Sequence, residues 1–169
     1  SGSSTAARML AKKLNLKYIN AGDIWDEMIK ERNTNVLGLN IMGETDPSID
    51  KELDEKMLKY AREERNILLE GRIIGWLCSQ NNIDAFKIWF DAPIDIRVMR
   101  ICKREKIDFQ KAKKETLKRE KSEAKRYKKY YDVDINDLSV YDLVVDSSKK
   151  TPKEIVGFIL DKLKERKWI

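Results

Sequence analysis

An acid and an arginine stand together at the end of an apolar run in Asn66-Ile67-Leu68-Leu69-Glu70-Gly71-Arg72. Two further apolar runs also close on an acid, Ile88-Trp89-Phe90-Asp91 and Leu143-Val144-Val145-Asp146. In an open parallel sheet the ligand crevice lies beyond the carboxyl ends of the strands. An arginine there suits phosphate, because its planar fork matches phosphate oxygens two at a time. The competing reading is local, with Gly71 making a turn and Arg72 capping a helix or pairing with an acid.

The chain contains no histidine, which removes the usual neutral-pH general base and the commonest zinc ligand. Catalysis must then rest on positioning, arginine, lysine and carboxylates. Arg119 and Arg126 lie seven residues apart, so two helical turns place them on one face. The lysines around them, Lys111, Lys113, Lys114 and Lys118, read as a solvated face. Arg97 and Arg100 have Asp91 and Asp95 as candidate partners.

The 169 residues suit one domain of ordinary size, and the net charge of +6 favours acidic partners such as nucleotides or nucleic acids. Cys78 and Cys102 sit in helical patterns rather than in a paired framework, which fits a reduced, intracellular protein. No apolar stretch approaches the roughly 20 residues needed to span a bilayer, so no membrane association and a cytoplasmic location are expected.

Strands and helices alternate. Helical spacing runs from Ser4 to Leu14, and a short strand follows from Leu16 to Asn20. Ala21-Gly22-Asp23 reads as a turn before a helix to about Arg32, and residues 33–44 show no clear period. Asp46-Pro47-Ser48 signals the start of a helix whose stripe is Ile49, Leu53, Met57, Tyr60 and Ala61. Beyond the Ile67 to Glu70 strand come a short helix at Ile73 to Leu77 and a strand at Phe86 to Asp91. A helix then opens at Ala92-Pro93, and a long basic one spans Phe109 to about Lys129. A last strand, Leu143 to Asp146, and a helix opened by Thr151-Pro152 complete the order. The alternation predicts parallel strands, all four in one sheet with their carboxyl ends facing one crevice.

Several pieces, taken in order, resemble the nucleoside monophosphate kinases, and most closely the archaeal-type cytidylate kinases. They are Gly2-Ser3-Ser4-Thr5, Tyr18-Ile19-Asn20-Ala21-Gly22-Asp23-Ile24-Trp25, Leu69-Glu70-Gly71-Arg72, Trp89-Phe90-Asp91-Ala92-Pro93, the stretch Arg119 to Tyr127, and Tyr141-Asp142-Leu143-Val144. The first resembles the second half of a phosphate-binding P-loop; a short apolar strand ending in glycines is expected upstream of it. The resemblance implies a three-layer α/β P-loop kinase fold with a central parallel sheet over 1–169, a helical monophosphate-binding segment at 33–65 and a basic helical lid at 109–131.

The implied activity is Mg²⁺- and ATP-dependent phosphorylation of CMP, and of dCMP, to the diphosphate, by a monomer with no nucleic-acid partner. Gly2, Ser3, Ser4 and Thr5 would bind ATP, with the Ser4 hydroxyl on Mg²⁺. Asp23 would act on the substrate side through magnesium-bound water, and Arg72 would grip the acceptor phosphate. Arg119 and Arg126 would stabilise the transferring phosphoryl group and contact the acceptor. Two positions depart from the family: Ser3 stands where most P-loops carry lysine, and Asp26 where many relatives carry an acceptor-binding arginine. Ile73 offers no polar group to read a pyrimidine edge. The alternatives are a kinase for UMP, AMP or a small alcohol such as shikimate, and a non-catalytic RNA-associated protein on a kinase-like fold.

Overall fold

The computed structural model describes residues 3–169, except for the side chains of residues 36, 37 and 40. Helix α1 (Ser3–Leu14) leads into β1 (Lys17–Asn20), and α2 (Ala21–Glu31), α3 (Val36–Thr45) and α4 (Pro47–Glu63) precede β2 (Ile67–Glu70). Then come α5 (Ile74–Gln80), β3 (Ile88–Asp91), α6 (Ile94–Glu105), α7 (Phe109–Tyr131), β4 (Leu143–Asp146) and α8 (Pro152–Glu165). No described helix is long and apolar enough to cross a membrane.

The strands pair in parallel, as long helical crossovers between them require. Strand β1 lies beside β2 with Asn20 opposite Glu70, and β3 lies beside β4 with Asp91 opposite Asp146. The acids at the strand ends are therefore in register within the β3–β4 pair. One expectation fails. The four strands form two separate two-stranded sheets, with no ladder between β2 and β3 among the described residues. The two pairs are joined instead by side-chain packing: Leu68 of β2 shares a core with Ile88 and Phe90 of β3 and Val145 of β4. Ala6 and Leu10 of α1 and Ile155, Val156 and Ile159 of α8 complete that core.

Caps set most helix starts. Asp46 accepts from Ser48 N at 2.8 Å ahead of Pro47, and Thr151 and Glu154 form a reciprocal capping box at α8. Ala21-Gly22-Asp23, expected as a turn, is the first turn of α2, because the Asn20 side chain caps it by accepting from Asp23 N at 3.0 Å. A Cβ at Gly22 would come within 2.9 Å of that Asn20 oxygen, so the tight cap favours glycine. Helix α3 has no amphipathic signal, since Val-Leu-Gly-Leu-Asn-Ile-Met-Gly offers no polar face. The Asn35 cap and burial of Leu39 against Met28 and Met57 hold it in place. The long basic helix is present as α7. Its Tyr127 packs into a core with Leu58 of α4, Ile73 just before α5 and Leu77 of α5.

Candidate functional site

The N-terminus of α1 meets the end of β2 through Glu70. Its carboxylate accepts from Ser3 Oγ at 2.6 Å and Ser4 Oγ at 2.9 Å, and from the Tyr18 hydroxyl of β1. Burial first, then the Glu70 carboxylate, push the Tyr18 phenol up to about 12, so it stays a neutral donor. The Arg8 guanidinium sits 4.6 Å from the centre of the Tyr18 ring. The sequence points to a role for Arg72 and gives none to Glu70, two residues before it. Thr5 is exposed on the first turn of α1, and Gly2 lies outside the described residues. Asp23 is exposed and accepts from Asn20 Nδ2 at 2.6 Å.

Arg72 leaves the end of β2 towards α7. Its Nε donates to Glu123 Oε2 at 2.9 Å and its terminal nitrogen donates to the same oxygen, while Glu120 lies 3.9 Å away. Glu123 also sits 3.8 Å from Arg119 Nε, so one carboxylate lies between the guanidinium groups of Arg72 and Arg119. Arg97 of α6 pairs with Glu120 and donates from Nε to the Ala92 carbonyl at 3.0 Å. Arg100 donates to the Ser147 hydroxyl and carbonyl at 3.1 and 2.6 Å. The expected partners Asp91 and Asp95 take neither arginine. Asp95 pairs instead with Lys113, 2.7 Å away, so that lysine is more than a solvated face.

Arg119 and Arg126 share a helix but go to different partners. Arg119 is 55% exposed, whereas Arg126 is 12% exposed and turns inward to Asp50 of α4. Arg126 Nε and Asp50 Oδ2 approach to 2.7 Å without the alignment of a hydrogen bond, and Arg126 also donates to Ser122 Oγ at 3.1 Å. Burial raises the Asp50 carboxyl and Arg126 opposes the rise. Asp50 and its neighbour Asp54 were missed in the sequence. The signal was there: they lie four apart, each one residue after a member of the buried stripe, Ile49 and Leu53.

An open groove of about 380 Å³ lies along α7, lined by Lys118, Lys121, Lys125, Arg126 and Lys129 with Glu44 of α3. No group of three or more metal-binding His, Cys, Asp or Glu side chains exists among the described residues. The hydroxyls of Ser3 and Ser4 beside the Glu70 carboxylate are hard oxygen donors. They fit a magnesium ion that arrives on phosphates and keeps most of its waters.

A hydroxyl-bearing helix start, a strand-end arginine and a helix rich in lysine and arginine are group types that can bind and neutralise phosphates. The model of the cytidylate kinase-like family matches residues 1–149. The chain belongs to that family. It is 41% identical over 168 residues to the cytidylate kinase of Methanocaldococcus jannaschii, covering 97% of this chain and 94% of the relative. It is likewise 41% identical over 160 residues to that of Halorubrum lacusprofundi, covering 95% and 82%. A crystal structure of an uncharacterized protein from Eubacterium ventriosum shares the fold at TM-score 0.68 and 19% identity, over 96% of this chain and 91% of that one.

Proposed function

We propose that this member of the cytidylate kinase-like family transfers the γ-phosphoryl group of ATP to CMP, and to dCMP, giving ADP and the nucleoside diphosphate. The observation that carries the reading within this site is the Glu123 carboxylate lying between Arg72 and Arg119. Two guanidinium groups from separate elements converge on one anion, and a phosphate dianion is a stronger ligand for such a pair than a single carboxylate. The acceptor phosphate displaces Glu123 from Arg72, and Arg119 is released towards the transferring group. Transfer of this kind needs in-line positioning and charge neutralisation rather than a strong base, which suits a chain without histidine.

In this reading the start of α1, with Gly2, Ser3, Ser4 and Thr5, directs backbone N–H groups at the donor phosphates. Ser4 supplies its hydroxyl to Mg²⁺, which when bound neutralises charge between the donor phosphates. Glu70 holds both serine hydroxyls in readiness, and Asp23 serves the substrate side from the first turn of α2. Residues 33–65 form the monophosphate-binding segment, and α7 is the lid of a single-domain kinase fold whose helices pack on two parallel strand pairs. The protein acts as a cytoplasmic monomer.

The lysine-lined groove favours one other reading, an RNA-associated protein on the same fold. Release of ADP, followed with CMP, dCMP, UMP and AMP side by side, tests the proposal. Turnover is expected with the two cytosine nucleotides. No turnover with any of the four, together with RNA binding that weakens log-linearly with salt, would establish the other reading.

A further inference from the structure

A cavity of about 40 Å³ lies where α4, the β2–α5 connection and α7 meet. Its walls are mostly apolar, Leu53, Met57, Ile73 and Leu77 among them, and two charged side chains line it, Asp54 and Arg72. Nothing in the phosphate chemistry above employs Asp54. A carboxylate in such surroundings is costly to keep ionised, and its carboxyl is pushed up to about 6, burial being the first cause. Tyr131, the last residue of α7, donates to Asp54 Oδ2 at 2.6 Å and so fixes the carboxylate's orientation. No described residue donates a hydrogen bond to Oδ1.

We infer that Asp54 reads the base of the acceptor nucleotide, with Oδ1 accepting a hydrogen bond from an exocyclic amino group on the ring edge. The inference rests on the proposed kinase reading, in which Arg72 holds the acceptor phosphate. Arg72 and Asp54 both border this cavity, so a phosphate held outside it by the Arg72 guanidinium and a base edge inside it at Asp54 can belong to one ligand. The volume admits the amino-bearing edge of a pyrimidine and leaves the ribose outside. An ionised carboxylate is an acceptor only. Cytosine presents an amino donor at position 4, whereas uracil presents a carbonyl oxygen whose lone pairs oppose those of the carboxylate. Ile73, which adds no polar atom, supplies an apolar wall, so discrimination falls to Asp54.

The test is the ratio of kcat/KM on CMP to that on UMP, in the wild-type chain and in Asp54→Asn. The asparagine keeps its volume and can keep the Tyr131 hydrogen bond through its carbonyl oxygen. Its amino group then faces the cavity, matched to uracil and mismatched to cytosine. The ratio should fall about 10-fold or more, chiefly through loss on CMP. Equal losses on both nucleotides, with the ratio unchanged, would overturn the assignment of Asp54. A wild-type chain that turns over neither nucleotide would instead overturn the kinase reading beneath it. A second measurement needs no variant: the monophosphate of the 4-deamino pyrimidinone nucleoside should bind the wild-type chain about 10-fold or more weakly than CMP. Equal affinity for the two would remove the amino contact altogether.

Discussion

Arg72 is the residue at which the structural and functional readings compete most openly. It is 43% exposed and bound to Glu123, a carboxylate from another element, which is the local pairing the sequence alone left open. An ion pair at that exposure contributes less than about 1 kcal/mol to stability, so loss of the pair alone should barely move Tm. Arg72→Lys keeps the charge and discards the fork. Its kcat/KM on CMP should fall by about 2 to 4 kcal/mol of transition-state stabilisation. Wild-type kinetics with a lowered Tm would assign Arg72 to structure. Asp54 makes a prediction of the opposite sign from most carboxylates. Its folded-state pKa, about 6, lies above the ordinary carboxylate value, so the folded chain holds that proton more tightly. The stability this provides is intact below about pH 4 and is lost as pH rises through 6. The Tm of Asp54→Asn should therefore gain on that of wild type between pH 4 and 7; a difference independent of pH would contradict the raised pKa.

At the scale of elements, α7 is tied to α4 by the buried pair Arg126–Asp50, with side chains 12% and 8% exposed. Removing one member strands a buried charge, so Arg126→Ala and Asp50→Ala should each cost about 3 to 5 kcal/mol in denaturant unfolding. The double variant should lose much less than the sum, because no unpaired charge remains. If Arg126 also serves transfer, the double variant recovers stability without recovering turnover, and recovery of both would leave Arg126 a purely structural residue. The sequence made α7 legible through its length, its density of lysine and arginine and the seven-residue spacing of Arg119 and Arg126. It did not show that Tyr127 is core or that Arg126 points inward, because both depend on what α4 and α5 place against the helix. Helix α3 was illegible for a related reason. Its sequence shows no polar face at helical spacing, and the burial of Leu39 and the Asn35 cap settle its state.

For the whole molecule, the alternation of strand and helix was enough to predict parallel pairing, and both strand pairs are parallel, with Asn20 opposite Glu70 in one and Asp91 opposite Asp146 in the other. Alternation carries no information on which strand lies beside which, so the division into β1–β2 and β3–β4 could not be read from it. The acids on α7 and α4 were likewise invisible as long-range partners, since Glu120, Glu123 and Asp50 meet Arg97, Arg72 and Arg126 across element boundaries. In the proposed mechanism, α7 delivers to the reacting group the positive charge that Ser3 does not provide. Arg119 tests it most cleanly, because it is 55% exposed, with Glu123 3.8 Å away on its own helix, and its removal should leave Tm unchanged. The decisive measurement is kcat on CMP for Arg119→Ala at saturating ATP. A loss of about 100-fold or more is expected, at the lower edge of what an arginine finger contributes. Turnover equal to wild type would contradict it and return α7 to the role of a basic surface.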